Sequence, residues 1–209
     1  MGAKGFTLVE LVISMAILTI ISVLGVVALR TSTTSVATAE SKADVQDNIR
    51  DALASMAREL QMASKTADDS LTPPLVEVAV NANPAVGSPA ELVFQTPLNG
   101  SGRSWSQVIR YRHINEDANE NGRLDEGEDL DGDGVLSRRI LRIQDRNGDG
   151  DTTDDGEQMP VGGANDLNNV QFVRVGDIVT ITLTAEKFLS GRRSDPVRLT
   201  VSSDVYLQN

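Results

Sequence analysis

The apolar run from Phe6 to Leu29, broken by one charge at Glu10, constrains this chain more than any other feature. As a helix rising about 1.5 Å per residue it reaches about 36 Å, enough to cross a hydrocarbon core of about 30 Å. A cleaved secretory signal has an apolar stretch of only about 7–15 residues ending in small residues. This run is longer and has no such exit. An ordinary uncleaved anchor would leave Glu10 unexplained, because an acid at the centre of a spanning helix costs up to about 2.5–3.5 kcal/mol and is usually retained for a partner.

Charge narrows the function classes. The 209 residues carry 30 acidic and 19 basic side chains, a net of −11. That balance argues against nucleic acid and anionic lipid as partners, since both select clustered Lys and Arg. There is no cysteine, so disulfides, thiolate metal sites and thiol catalysis are excluded together. The single histidine, His113, excludes any site built on two imidazoles.

Met1-Gly2-Ala3-Lys4-Gly5 followed by Phe6-Thr7-Leu8-Val9-Glu10 resembles the leader and cleavage motif of type IV prepilins and type II secretion pseudopilins. The resemblance implies that a membrane prepilin peptidase cuts between Gly5 and Phe6 and methylates the new amine. It also implies that the amine of an incoming subunit meets Glu10 of its neighbour as helices pack into a filament. The spacing permits this, because Phe6 and Glu10 lie about one helical turn apart. The partners implied are other pilin or pseudopilin subunits, the peptidase, an inner-membrane assembly platform, and lipid before assembly. Lys4 and Arg30 flank the run too evenly to orient it by charge. The resemblance places the amino terminus in the cytoplasm and the bulk of the chain in the periplasm of a bacterium.

The expected fold is α+β: a long N-terminal helix packed on an antiparallel sheet. The divisions are a leader at 1–5, a membrane and assembly helix at 6–29, an amphipathic continuation at 30–63 and a β-rich head at 64–209. Val45, Ile49, Leu53, Met56 and Leu60 recur at helical spacing and mark the face that packs on the head. Met56 and Met62 read as core residues, and Gly25 as a helix-packing contact in preference to a local weak point of the helix. Strands are expected at Leu75–Val80, Glu91–Gln95, Gln107–Ile114, Arg139–Gln144, Val170–Val175, Asp177–Phe188 and Val197–Leu207, with a hairpin turning at Gly176-Asp177. Pro73-Pro74, Asn83-Pro84 and Asn99-Gly100 read as loops. The ending Ser203-Asp204-Val205-Tyr206-Leu207 should be an edge or closing strand, and it resembles those of W-class minor pilins and J-class minor pseudopilins.

Residues 116–157 hold 15 of the acidic residues and 5 arginines, nearly the whole net charge. Acidic runs are usually solvated loops, but this one has a pattern. Asp117 to Glu128 fits D-x-[DN]-x-[DN]-G-x5-E along its length and resembles an EF-hand loop. Carried onto this chain, the Ca²⁺ ligands are Asp117, Asn119, Asn121, the Arg123 carbonyl, Asp125 and Glu128, with Gly122 at the sharp turn. The head of the motif recurs at Asp129-Leu130-Asp131-Gly132-Asp133-Gly134 and at Asp145-Arg146-Asn147-Gly148-Asp149-Gly150. These copies are degenerate, because Ile140 and Gly156 occupy their twelfth positions. In the last copy Asp151, Asp154 or Asp155 is the available substitute. The first loop ends where the second begins, which leaves no room for a helix between them and excludes paired helix–loop–helix hands. Mg²⁺ fits such loops less well because it demands tight octahedral geometry.

Other conspicuous residues read as structural. His113 sits in strand alternation beside Tyr111, and Trp105 reads as a loop or rim anchor. There is no G-x-S-x-G elbow, P-loop or dinucleotide motif, so the chain reads as non-enzymatic. The expectation is a minor type IV pilus subunit that primes or caps the filament, with a Ca²⁺-stabilised head. A type II secretion minor pseudopilin is the alternative within the class. A membrane-anchored, calcium-dependent adhesion module is the alternative outside it.

Overall fold

In a computed structural model, the structure describes residues 7–64, 77–80, 90–98, 105–117, 119, 121, 123–129, 134–162, 166–189 and 192–207. The side chains at 188, 189 and 192–195 are outside that description. Two compact units divide the chain, Met1–Ser41 and Lys42–Asn209. One helix, α1 (Leu8–Gln61), contributes to both.

Within the first unit, every large apolar side chain from Leu8 to Leu29 is more than half exposed. Such a surface is unstable in water and stable in lipid. Ser14, Thr19 and Ser22 donate their hydroxyls to the carbonyls of Glu10, Met15 and Leu18 at 2.7–2.8 Å. These polar side chains thus need no water, as a hydrocarbon environment requires. Among the described residues, nothing beyond the backbone of its own helical turns lies within 4 Å of a Cβ built on Gly25.

Within the second unit, α1 buries Val45, Ile49, Ala52, Leu53, Met56 and Leu60, one apolar stripe at helical spacing. The stripe packs on two antiparallel sheets rather than the single sheet expected. The first sheet is ordered β1 (Ala79–Val80), β2 (Glu91–Phe94), β3 (Ile109–Asn115), β4 (Arg138–Gln144), β5 (Gln158–Pro160). The second is ordered β6 (Leu167–Val175), β7 (Ile178–Leu189), β8 (Arg192–Tyr206). Leu92, Phe94, Ile109, Tyr111 and Ile140 of the first and Leu167, Val170, Phe172, Val179, Ile181 and Leu183 of the second join the helical stripe in one buried cluster. The rings of Phe94 and Tyr111 stack at 5.7 Å.

Alternation explains the faces. Ile109, Tyr111 and His113 of β3 point inward, while Arg110 and Arg112 are half-buried between them. On the outward face of β7 and β8, Thr180, Thr182 and Thr184 hydrogen-bond Asp204, Ser202 and Thr200 across the register, a polar cross-strand ladder. The β6–β7 hairpin turns at Gly176-Asp177, where Gly176 takes a left-handed φ of 60°.

The long strands lie within a few residues of their expected positions, and β8 is an edge strand of its sheet. Two readings are corrected. Met62 is 44% exposed, outside the core that Met56 joins. Strand β5 had no sequence signal, being three residues with a proline, and exists because it pairs with β4. The expected loops at 73–74, 83–84 and 99–100 lie outside the described residues.

Candidate functional site

At the stem's start Thr7 caps α1. Its backbone N–H and hydroxyl both donate to Glu10 Oε2, at 2.9 and 3.0 Å, and the Glu10 N–H returns to Thr7 Oγ1 at 3.3 Å. This is a reciprocal capping box, which satisfies donors that the first helical turn would leave bare. The acid in the apolar run is therefore held by its own helix terminus. The signal for Thr7 lay in the sequence as T-x-x-E before an apolar run, and the reading of Glu10 as a partner for a neighbour's amine passed over it. Gly5 and Phe6 lie outside the described residues.

The acidic segment leaves the first sheet twice, between β3 and β4 and again between β4 and β5. Its base is clamped inside the head. Glu116 Oε2 accepts the Ser137 N–H at 2.7 Å, and Glu116 N donates to Ser137 O at 3.0 Å. Asp117, fully buried, faces Arg138 Nη1 at 3.4 Å, and Arg138 Nη2 donates to the Glu186 carbonyl. The first residue of the best-matching loop thus points at an interior guanidinium.

The rest of that loop folds on itself. The side-chain amides of Asn119 and Asn121 donate to Asp125 Oδ2 at 2.9 and 2.6 Å, and hold the Asp125 carboxyl below the usual carboxylate range. Asn119 Oδ1 accepts Asn121 N, Asn121 Oδ1 accepts Arg123 N, and Glu128 Oε2 accepts Asp125 N. In the second copy Asp129 Oδ2 accepts Gly134 N. Gly122, Asp131 and Asp133 lie outside the described residues.

The third copy is wound most regularly. Asp145 accepts the N–H groups of Gly148 and Gly150 at 2.6 and 2.9 Å. Asn147 Oδ1 accepts Asp149 N, Asp149 Oδ1 accepts Asp151 N, and Asp151 Oδ1 accepts Thr153 N. The Asn147 amide donates to Asp149 and Asp154. Gly148 and Gly150 take φ of 78° and 87°, the left-handed conformation that such winding requires. Behind the loop, buried Glu157 accepts Arg146 N at 2.7 Å and Asn147 N at 3.3 Å through Oε1. Sequence reasoning missed this residue, because it lies one position past the twelfth of the template. Among the described residues, no three His, Cys, Asp or Glu side chains are gathered as a metal cluster.

His113 is buried, with Nε2 at 2.9 Å from the Leu167 carbonyl, and so joins the two sheets. Burial, and to a lesser extent Arg138, push its imidazole below the usual range against the opposing effect of that hydrogen bond. Trp105 is half-buried in an isolated bridge with Pro97.

Residues 1–26 match the family model described as the prokaryotic N-terminal methylation motif. Comparison with curated proteins and with solved structures gives no match. By length and composition α1 can cross a membrane, and its apolar part starts within the matched residues. The chain carries a prepilin-type N-terminus on an exposed apolar helix, which supports a precursor of the type IV pilin and pseudopilin family and fits membrane anchoring and pilus assembly.

Proposed function

We propose that this chain is a minor structural subunit of a type IV pilus. It is cut between Gly5 and Phe6, methylated at Phe6, and built into the filament as a priming or capping subunit. The N-terminus faces the cytoplasm and the head the periplasm before assembly, and the role is structural rather than enzymatic. The observation that carries the reading is the methylation motif at residues 1–26 running into an apolar helix whose large side chains from Leu8 to Leu29 are more than half exposed. In the filament, Glu10 exchanges its cap at Thr7 for the amine of an incoming Phe6.

The acidic segment 116–157 binds Ca²⁺ and stabilises the head. The support is a ladder of carboxyl and amide oxygens wound around short turns, the ligand chemistry of a hard cation with flexible coordination.

The test is mass spectrometry of the N-terminus of protein purified from its native cell. A chain starting at N-methyl-Phe6 supports the reading, and an intact Met1–Gly5 segment refutes it. Gly5→Ala should impair processing, and Glu10→Ala should leave cleavage measurable but remove the subunit from sheared filaments. A type II secretion pseudopilin shares the stem chemistry. A deletion strain that keeps its surface pili and loses protein export would assign the chain to that machine.

A further inference from the structure

We propose that the Ca²⁺ loop of the head is residues 145–157, closed by Glu157 at a thirteenth position, rather than the loop from Asp117 to Glu128 that fits the motif. This rests on the Ca²⁺ reading of the acidic segment and assigns its site.

The decisive observation is Glu157. It is 2% exposed, and its Oε2 is buried with no hydrogen-bond partner among the described residues. A buried carboxylate oxygen left bare is expensive, so native proteins supply such a group with a donor, a water or an ion. Its sister oxygen is fixed by the N–H groups of Arg146 and Asn147, the second and third residues of the loop. The bare oxygen therefore belongs to a carboxylate anchored on the head of the loop.

Around that head stand Asp145, Asn147 and Asp149, each already oriented by an N–H further along the chain. A carboxylate or amide oxygen that accepts one hydrogen bond keeps a second lone pair for a cation. Drawn together by an ion, they would supply with Glu157 hard oxygens from alternate loop positions and one closing acid, which suits Ca²⁺ at variable coordination number better than Mg²⁺. Among the described residues these acids are not gathered around one point without it.

The competing loop has lost its first ligand, because Asp117 is turned into the head against Arg138. Its closing residue, Glu128, shows no buried oxygen left bare among the described residues, unlike Glu157. Ca²⁺ at Glu157 would also act on the sheet. The Glu157 carbonyl accepts Gln144 N at the end of β4, and β5 begins at the next residue.

The experiment is isothermal titration of CaCl₂ into the full chain in detergent micelles after chelator treatment, for the unsubstituted protein and for E157Q, D149N and E128Q. Glutamine keeps the oxygen that accepts Arg146 and Asn147, and Asp149 is exposed, so D149N decides the question if E157Q does not fold. The expected result is one ion per chain, a loss of affinity of at least about tenfold in E157Q and D149N, and little change in E128Q. If E157Q or D149N, correctly folded, binds like the unsubstituted chain, the assignment to this loop is overturned while Ca²⁺ binding stands. If the unsubstituted chain takes up no Ca²⁺, both are overturned.

Discussion

Tyr111 of β3 donates its hydroxyl to Glu59 Oε2 at 2.9 Å, and Arg142 Nε of β4 meets the same carboxylate at 3.0 and 3.1 Å. One acid on the last turns of α1 therefore keys the helix to two neighbouring strands. Tyr111→Phe should cost about 0.5–1.5 kcal/mol, the net worth of one hydrogen bond. Glu59→Ala should cost more, since two donors lose their acceptor. Thermal melts of the full chain in detergent, followed by near-UV circular dichroism, check this. A Tm for Glu59→Ala at or above that of Tyr111→Phe would contradict it.

The same contact predicts an alkaline response. Burial first, then the charge and hydrogen bond of Glu59, push the Tyr111 phenol far above its ordinary range. A raised folded value means that this contribution to stability is complete below about pH 10 and is lost as pH rises beyond it. In a Tyr206→Phe background, the phenolate absorbance of Tyr111 should stay absent until the head unfolds.

His113 gives the opposite sign. Its folded value is lowered, so its contribution is complete above about pH 6.5 and is lost as pH falls through that value towards the folded one. The Tm should fall between about pH 7.5 and 5.5, and His113→Gln should flatten the slope in that window. Equal slopes in the two proteins would show that the ring between the sheets does not govern acid sensitivity.

Gly162 lies tight against the helix. At φ 63°, a Cβ there would meet Ala52 Cβ and the Asn48 carbonyl, both at 3.0 Å. Gly162→Ala should destabilise by about 1–3 kcal/mol through overpacking and left-handed strain. Gly176→Ala, at φ 60° in open space, carries the backbone strain alone. Comparing the two Tm values isolates the steric part.

Calcium should be visible as stability. At 100 times Kd a ligand that binds only the folded state adds about 2.7 kcal/mol. Chelation should lower the Tm of the unsubstituted protein by several degrees and that of the E157Q variant by clearly less.

Much of this was written in local pattern. An apolar run of spanning length, the leader before it, the helical stripe from Val45 to Leu60 and the alternating strands all depend on residues within a few positions of one another. The strand β5 is too short to carry a period, and its existence depends on β4. The two-sheet arrangement was likewise hidden, because alternation marks which face of a strand is apolar but not which strands share a sheet. In the acidic segment, spacing favoured the loop starting at Asp117 because every position of the template is filled there.

The sequence alone determined the stem, its single acid and the packing face of its helix, since hydrophobic period and length are properties of a contiguous segment. Only the tertiary structure decided how the acidic residues divide their roles. Asp117 went to Arg138, and Glu157 was left with a buried oxygen bare among the described residues, because burial and the position of the Arg138 guanidinium are set by the packed sheets and appear in no local pattern.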